Sequence, residues 1–275
     1  MKEIVRMRFM KTGRAKYISH LDLIRCLQRA VCRAKLPAAY SEGFHPHMQT
    51  SFATTLPLGF IGTGELMDLE LSEPLPCETV MERLNAVLPE GIRILEAGKG
   101  QLAFKKLAYA RYTVRIPCED AAALHRSFDA FCAQPEIITE KRTKKGGTKE
   151  VDLKPMLEVT AVTEQPDALE VELCLPAGSI ANLNPMLLLD AWKKQSGAAL
   201  SAPEISRTEL LTEEKQKFFQ KTLAFSLEMW YDIKAFEICA ESGRKSGGAN
   251  DPHGFRVRLM PAERPMGIGG SAERH

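Results

Sequence analysis

A serine, a histidine and an aspartate stand within four residues near the start of the chain, in Ser19-His20-Leu21-Asp22. These residue types form nucleophilic catalytic triads, but triads are assembled by the fold from distant parts of a chain. A serine at a helix start already uses its oxygen to cap a backbone N–H, so we interpret Ser19 as an N-cap with Asp22 as its acidic partner. His20 then lies at a helix N-terminus, as a candidate for phosphate binding, for acid–base catalysis or for a structural role.

Two further imidazoles flank a proline in His45-Pro46-His47. A metal site would need a third ligand, which His20 supplies only if the fold brings it to this loop. Aromatic residues around the loop favour nucleotide binding instead, because aromatic rings beside cationic side chains hold unpaired bases. A turn fixed by Gly43 and Pro46 is the structural alternative. The residues of this segment that we predict to contact nucleic acid are Tyr40, Ser41, Phe44, His45 and His47.

Arginines recur at every fourth position in Arg25, Arg29 and Arg33, which places three guanidinium groups along one side of the predicted helix. A guanidinium matches the oxygen atoms of a phosphate, so the row predicts phosphate contacts. The alternative is an ordinary solvated helix surface.

Charge is distributed unevenly along the chain. Residues 1–60 hold ten Lys or Arg against three Asp or Glu, a net of +7, whereas residues 61–104 hold three against eight, a net of −5. Because the whole chain carries only +2, this polarity predicts a basic face for a polyanion. We expect Lys11 and Lys16 to belong to it. Lys144 and Lys145, in a basic loop, would form a second contact unless that loop is an ordinary hairpin tip.

The elements that position these residues alternate between strands and helices. Period-two alternation with Val5, Met7 and Phe9 inward predicts a first strand, and helical spacing follows from Leu21 to Ala34. The next predicted elements are extended stretches at 38–44 and 50–56, a strand at 65–71, a helix at 77–88 and a strand from 92. The order β-α-β-β-α-β is ferredoxin-like.

We interpret the following elements as a recurrence of this order: a strand at 109–116, a helix at 118–134, a hairpin of 136–142 and 151–162, a strand at 169–175 and a helix at 184–192. We therefore expect an α+β protein of two tandem ferredoxin-like halves, 1–104 and 105–210. A C-terminal helix over 211–240 and a disordered tail over 241–275 should follow.

Several classes of protein are disfavoured by what the chain lacks. Its seven cysteines are scattered without a C-x-x-C pair, which predicts reduced, mostly buried thiols and no metal centre. Neither phosphate-binding loop pattern is present, so no cofactor is expected. No apolar run is long enough to cross a bilayer, and the first residues lack the apolar segment of a signal peptide. We expect a cytoplasmic protein without a membrane partner.

Motifs within the first hundred residues resemble one bacterial family. They are Arg8–Gly13, Tyr17–Leu23, Arg33–Pro37, Tyr40–His47, Ser51–Ala53 and Leu56–Gly59. In these segments the chain resembles the radical SAM-linked proteins, also known by the domain of unknown function DUF2344. Glu204-Ile205-Ser206-Arg207 is similar to the later I-x-R segment of that family.

The resemblance implies a partner but no established activity. Members of the family are encoded beside, or fused to, a B12-binding-type radical SAM protein, in a gene neighbourhood that implies RNA or ribosome modification. The chain lacks C-x-x-x-C-x-x-C, so it resembles the stand-alone partner and not the radical enzyme.

Three functions remain open. The favoured one is an accessory protein that binds RNA or a ribosomal particle for a radical SAM enzyme, without catalytic activity of its own. The second is a metal-independent RNA-processing endonuclease of the tandem ferredoxin-like type, with His20 and His45 as catalytic candidates, which is an analogy of fold alone. The third is a protein–protein adaptor whose basic face meets an acidic partner.

Overall fold

The computed structural model describes residues 3–100, 102–142, 146–197 and 200–219 as a mixture of strands and helices. A division of the chain by its internal contacts separates Met1–Thr222, to which all of these residues belong, from Leu223–His275. The strands are β1 (Glu3–Lys11), β2 (Thr50–Phe52), β3 (Ile61–Leu71), β4 (Ile92–Lys99), β5 (Leu107–Pro117), β6 (Ile138–Arg142), β7 (Thr148–Asp152), β8 (Val159–Gln165), β9 (Ala168–Pro176) and β10 (Glu204–Thr212). The α-helices are α1 (His20–Arg33), α2 (Cys77–Asn85), α3 (Ala121–Cys132) and α4 (Pro185–Ser196).

Eight of these strands form one mixed sheet, in the order β4-β1-β3-β10-β5-β9-β8 with β2 paired to β3. Neighbouring strands are antiparallel except β3 and β10, which run parallel where Ser206 meets Ile61 and Arg207 meets Gly62. Strands β6 and β7 form a separate two-stranded ribbon. The α+β class predicted from the sequence is confirmed.

The first part of the sheet forms from residues 3–99, in the order β4-β1-β3-β2, with every pair antiparallel. Val5, Met7 and Phe9 of β1 are buried, as their alternation predicts. The two extended stretches expected at 38–44 and 50–56 are much shorter in the structure. Only β2 and the isolated bridges made by Ala38 and Tyr40 remain, because the chain between them turns outward as a loop.

The second part of the sheet forms from residues 107–212, in the order β10-β5-β9-β8, again with every pair antiparallel. The strand expected over 151–162 is broken into β7, a 3-10 turn at Lys154–Met156, and β8. Pro155 has no N–H for a ladder, and the Asp152 carboxylate accepts the N–H groups of Ile137 and Lys154 at 2.9 Å each. The strand therefore ends at Asp152.

Helices lie over two separate clusters of buried apolar residues. Leu27 of α1 and Val80 of α2 belong to the cluster of the first part. Phe128 of α3 and Trp192 of α4 belong to that of the second, with their ring centroids 4.9 Å apart. Within the described ranges, no helix combines the length and the apolar character that crossing a membrane requires.

The two parts of the sheet meet at β3 and β10, where the backbones approach closely. A Cβ atom on Gly64 would lie 2.1 Å from the carbonyl oxygen of Thr208, so only glycine fits there. Beside it, Arg207 donates two hydrogen bonds to the Glu65 carboxylate, at 2.8 and 2.7 Å. These side chains are only 3% and 4% exposed, and Arg207 also donates to the carbonyl of Thr55 at 3.2 Å.

The chain beyond β10 does not begin the helix expected over 211–240. Residues 211–212 complete β10, and residues 213–219 form turns and a single bridge between Leu211 and Lys217. Phe218 is buried, and its ring lies 6.1 Å from that of Phe104. The rest of the predicted helix and the whole predicted tail lie outside the described residues.

Candidate nucleic-acid interface

Helix α1 begins as its sequence predicts, with Ser19 as the N-cap. The Ser19 hydroxyl oxygen accepts the N–H of Asp22 at 3.1 Å, and the hydroxyl donates to the Asp22 carboxylate at 2.7 Å. The second hydrogen bond lowers the pKa of Asp22. Because the cap uses the only proton of the hydroxyl, none is left for His20, and the triad interpretation has no geometric support.

His20 is half-buried, with its ring edge-to-face against Phe52 at a centroid distance of 5.5 Å. Burial lowers the pKa of His20, the nearby Glu65 raises it by a smaller amount, and the cations Lys11 and Arg207 lower it further. The neutral imidazole is therefore favoured at neutral pH. His20 adds no positive charge for a polyanion there, although a neutral ring is able to accept a proton.

The arginines of α1 lie together along one open cleft of about 460 Å³. Its lining residues are Asp22, Arg25, Cys26, Arg29, Arg33 and Pro89. Arg25 is paired with Asp22 at 3.2 Å on an exposed surface, and Arg33 donates to the carbonyl of Val87 at 3.0 Å. Arg29 has neither an ion pair nor a hydrogen bond with any described residue, so its guanidinium is open to a ligand.

The loop between Tyr40 and Met48 is closed at its base by Ser41 and His47. The N–H of Ser41 donates to the carbonyl of His47 at 2.9 Å, and the N–H of His47 donates to the Ser41 hydroxyl at 3.0 Å. The same hydroxyl lies 2.7 Å from Nδ1 of His47. At the tip, the left-handed backbone of Gly43 (φ 110°) turns the chain, and Phe44 is 100% exposed. His45 is exposed beside it.

This loop and the arginines flank α1 on different sides. Tyr40 places its hydroxyl 4.0 Å from the sulfur of Cys32, near the C-terminal end of the helix. Arg33 reaches Val87 on the other flank. His20 stands at the opposite end, about 18 Å from Cys32 by the helical rise. Among the described residues the ring contact of His20 is with Phe52, and the residue of α1 that the loop meets is Cys32.

The predicted lysine contacts have different outcomes. Lys11 is 1% exposed, and its ammonium donates to the carbonyl of Ile18 at 2.9 Å, so a ligand cannot touch it. Its burial follows from the alternation of β1, because Lys11 lies two residues after Phe9 on the inward side of the strand. Lys16 is paired with Glu204 at 3.4 Å. The two lysines of the basic loop, Lys144 and Lys145, lie outside the described residues.

Three residues at or near this surface were not among the sequence candidates. Tyr17 is 65% exposed, with the Lys16 ammonium 5.5 Å from its ring centroid. Glu65 and Arg207 form the buried pair between β3 and β10. Two features of the sequence could have indicated this pair. Glu65 falls on the apolar side of the β3 alternation, where a carboxylate needs a buried partner, and Arg207 ends the I-x-R segment.

Metal and thiol chemistry have little support at this surface. Among the described residues, no three His, Cys, Asp or Glu side chains cluster in a way that could hold a metal ion. Six cysteines are free, as expected, but the expectation of mostly buried thiols is wrong. Only Cys174 is buried, Cys32 is exposed, and the others are half-buried. Burial raises the pKa of Cys132 to about 11.

Comparison with known proteins gives one informative result. The model of a family described as "Uncharacterized protein conserved in bacteria (DUF2344)" matches residues 5–185. No curated protein matches the chain.

Solved structures add little. A structure described as an unknown protein from Galdieria sulphuraria is 11% identical, covering 75% of this chain and 98% of its own, with a TM-score of 0.23. A structure described as "putative glycine cleavage system transcriptional repressor" is 13% identical, covering 78% and 99%, with a TM-score of 0.21. Scores this low support no argument about fold or function.

Proposed function

We propose, from the premise that this chain belongs to the uncharacterised bacterial family DUF2344, that it is an accessory protein which binds RNA or a ribonucleoprotein particle on behalf of a radical SAM enzyme. The observation that carries the binding proposal is the row of arginines along one open cleft of α1. The radical SAM partner and a cytoplasmic location are the further parts of the proposal, and they rest on sequence resemblance and sequence pattern.

The arginine row suits a polyanion for a physical reason. Arg29 has no ion-pair partner among the described residues, and Arg25 is held only by an exposed pair that solvent screens. Exposed guanidinium groups on successive helical turns form forked contacts with phosphate oxygens and release counterions when they do so. Binding should therefore weaken steeply as salt concentration rises.

The fold proposal is a tandem of two ferredoxin-like halves that share one sheet. Its support is the strand order, which is β4-β1-β3-β2 in the first part and β10-β5-β9-β8 in the second. The ribbon of β6 and β7 is then an insertion between α3 and β8. In this arrangement α1 is the first helix of the first half, with the arginines on its outer side.

Fluorescence polarisation with a labelled 20-nucleotide RNA tests the binding proposal. The variant Arg25→Gln/Arg29→Gln/Arg33→Gln should lower the slope of log affinity against log salt concentration by about 2, from about 0.7 for each lost phosphate contact on a single strand. The matched control removes three exposed charges from other helices, in Arg126→Gln/Lys193→Gln/Lys194→Gln, and should keep the wild-type slope. Wild-type protein that shows no salt-dependent binding contradicts the proposal.

A pull-down of the radical SAM protein, with and without nuclease, tests the partner. A pure adaptor would capture the radical SAM protein even after nuclease treatment and would bind no RNA by itself. That combination would favour an adaptor over an RNA-binding accessory protein.

A catalytic role for His20 is a second proposal, favoured by its neutral, half-buried imidazole at the start of α1. A neutral histidine is able to take the proton of a ribose hydroxyl as a general base. Purified protein incubated with RNA in the absence of metal should then cleave it, and His20→Ala should abolish the cleavage. Intact RNA with the wild-type protein refutes this proposal.

A further inference from the structure

We propose that the ligand of this surface is single-stranded RNA that crosses the C-terminal half of α1, with phosphates on Arg29 and Arg33 and bases stacked on Tyr40 and Phe44. The inference rests on the proposed function and deepens it, because it names the ligand and limits its footprint to one end of the helix.

The first step is the arrangement of charges and rings around Cys32. Arg29 and Arg33 lie one helical turn apart, about 6 Å along the axis, on the flank that faces Val87. Tyr40 lies on the other flank, against the exposed sulfur of Cys32. Because Cys32 follows Arg29 by three residues and immediately precedes Arg33, the aromatic ring and the guanidinium groups border the same stretch of helix.

The second step is the exposure of Phe44. A phenylalanine that is 100% exposed gains no hydrophobic stabilisation from the fold of this chain. The loop that carries it is nevertheless fixed, because Ser41 and His47 join its two ends by backbone and side-chain hydrogen bonds. An ordered loop with an exposed ring at its tip is a preorganised platform for another flat group.

The third step is the chemical state of Tyr40. The phenol of tyrosine is uncharged at neutral pH, and the contact with Cys32 together with burial raises the pKa of Tyr40 further in the same direction. A neutral phenol neither repels a phosphate nor loses its ability to donate a hydrogen bond. The ring, 46% exposed, is available for stacking.

These features favour an unpaired strand over a duplex. Bases in an A-form duplex are stacked on one another, and the faces that an aromatic ring would contact are covered. Unpaired bases turn outward and stack on aromatic side chains while cationic groups follow the backbone. His20 lies outside this footprint, because its ring is neutral and stands at the other end of α1.

The test measures binding of the full chain to labelled oligouridine of 20 nucleotides and to a 20-base-pair RNA duplex, by polarisation across a salt series. We expect tighter binding of the single strand. Phe44→Leu should weaken it about 5- to 150-fold, the equivalent of one lost stacking contact, without changing the salt slope. Arg29→Gln/Arg33→Gln should lower the slope by about 1.4.

Two further variants complete the design. Phe44→Trp retains a stacking surface and should bind as the wild type does. Ile180→Ala serves as the matched control, because Ile180 is another fully exposed apolar residue that lies between β9 and α4, and it should also bind normally. Because the Phe44 ring is fully exposed, its replacement should leave the thermal unfolding midpoint unchanged, so lost binding reports on the contact and not on the fold.

The outcomes separate this inference from the proposed function. Equal affinity for duplex and single strand, or wild-type binding by Phe44→Leu, overturns the inference while salt-dependent RNA binding upholds the function. Normal RNA binding by Phe44→Leu together with loss of the radical SAM protein in a pull-down assigns the loop to a protein partner and also overturns it. Absent salt-dependent binding of any RNA removes the proposed function itself.

Discussion

Glu65→Gln removes the negative charge from the buried pair between β3 and β10 while keeping the size of the side chain. The wild-type carboxylate accepts two hydrogen bonds from Arg207, and both side chains are at least 96% buried. The variant leaves a guanidinium buried without a counter-charge, and breaking a buried pair in this way costs about 3–5 kcal/mol. In a unit of this size, each kcal/mol moves the unfolding midpoint by about 2–4 °C, so we expect a fall of about 6–20 °C.

Urea unfolding followed by circular dichroism at pH 7 measures the free energy directly, and a thermal melt checks the midpoint. The matched control is Asp167→Asn, which breaks the pair with Arg115 at 2.7 Å on the surface, where the two side chains are 72% and 37% exposed. That change should cost less than about 1 kcal/mol. The reasoning is refuted if Glu65→Gln costs no more than the control.

A double replacement distinguishes the charge from the packing. Glu65→Leu/Arg207→Met substitutes apolar side chains for the pair, and replacing a buried pair in this way is often neutral or stabilising. We expect the double variant to recover most of the stability lost in Glu65→Gln. The double variant also loses the hydrogen bond from Arg207 to the carbonyl of Thr55, in the segment between β2 and β3. Stability as low as that of the single variant would mean that this hydrogen bond, and not the charge, stabilises the pair's surroundings.

Three other predictions follow from single residues. Gly64→Ala should cost about 1–3 kcal/mol in urea unfolding, because the new Cβ would lie 2.1 Å from the Thr208 carbonyl oxygen. Iodoacetamide at pH 8, followed by peptide mapping, should label exposed Cys32 long before Cys132, whose pKa burial raises to about 11. An NMR titration should give His20 a pKa below the ordinary value of about 6.5. The unfolded chain then binds the proton more readily than the folded one. The contribution of His20 to stability should therefore be complete above about pH 6.5 and fall as the pH drops through the folded pKa.

The features predicted correctly are those written in local spacing. The Ser19 cap and the shared side of Arg25, Arg29 and Arg33 depend only on helical geometry over a few residues. The alternation in β1 likewise placed Phe9 inward. These predictions needed no knowledge of which strand pairs with which, because 3.6-residue and two-residue periods fix the direction of each side chain.

The features that were missed depend on contacts between distant parts of the chain. Arg207 meets Glu65 across 142 residues, and no local pattern states that two strands so far apart will be neighbours. Lys11 was expected to face a ligand although the two-residue period of β1 already places it inward, and what no local pattern states is the carbonyl of Ile18 that its ammonium meets there. The proximity of Tyr40 to Cys32 also depends on how the loop folds back along α1.

The distribution of charge acquires a different meaning once these contacts are known. Among the ten cations of residues 1–60, Lys11 is buried, Arg6 is paired with Asp68 at 2.8 Å, and Arg8 is paired with Glu96 at 2.6 Å. These three cations are occupied by contacts within the sheet and are not available to a polyanion. The local excess of +7 therefore overstates the charge that faces a ligand. The salt dependence of RNA binding should follow the arginine row of α1, and a measured slope near that of about three phosphate contacts would agree with this count better than the sequence total does.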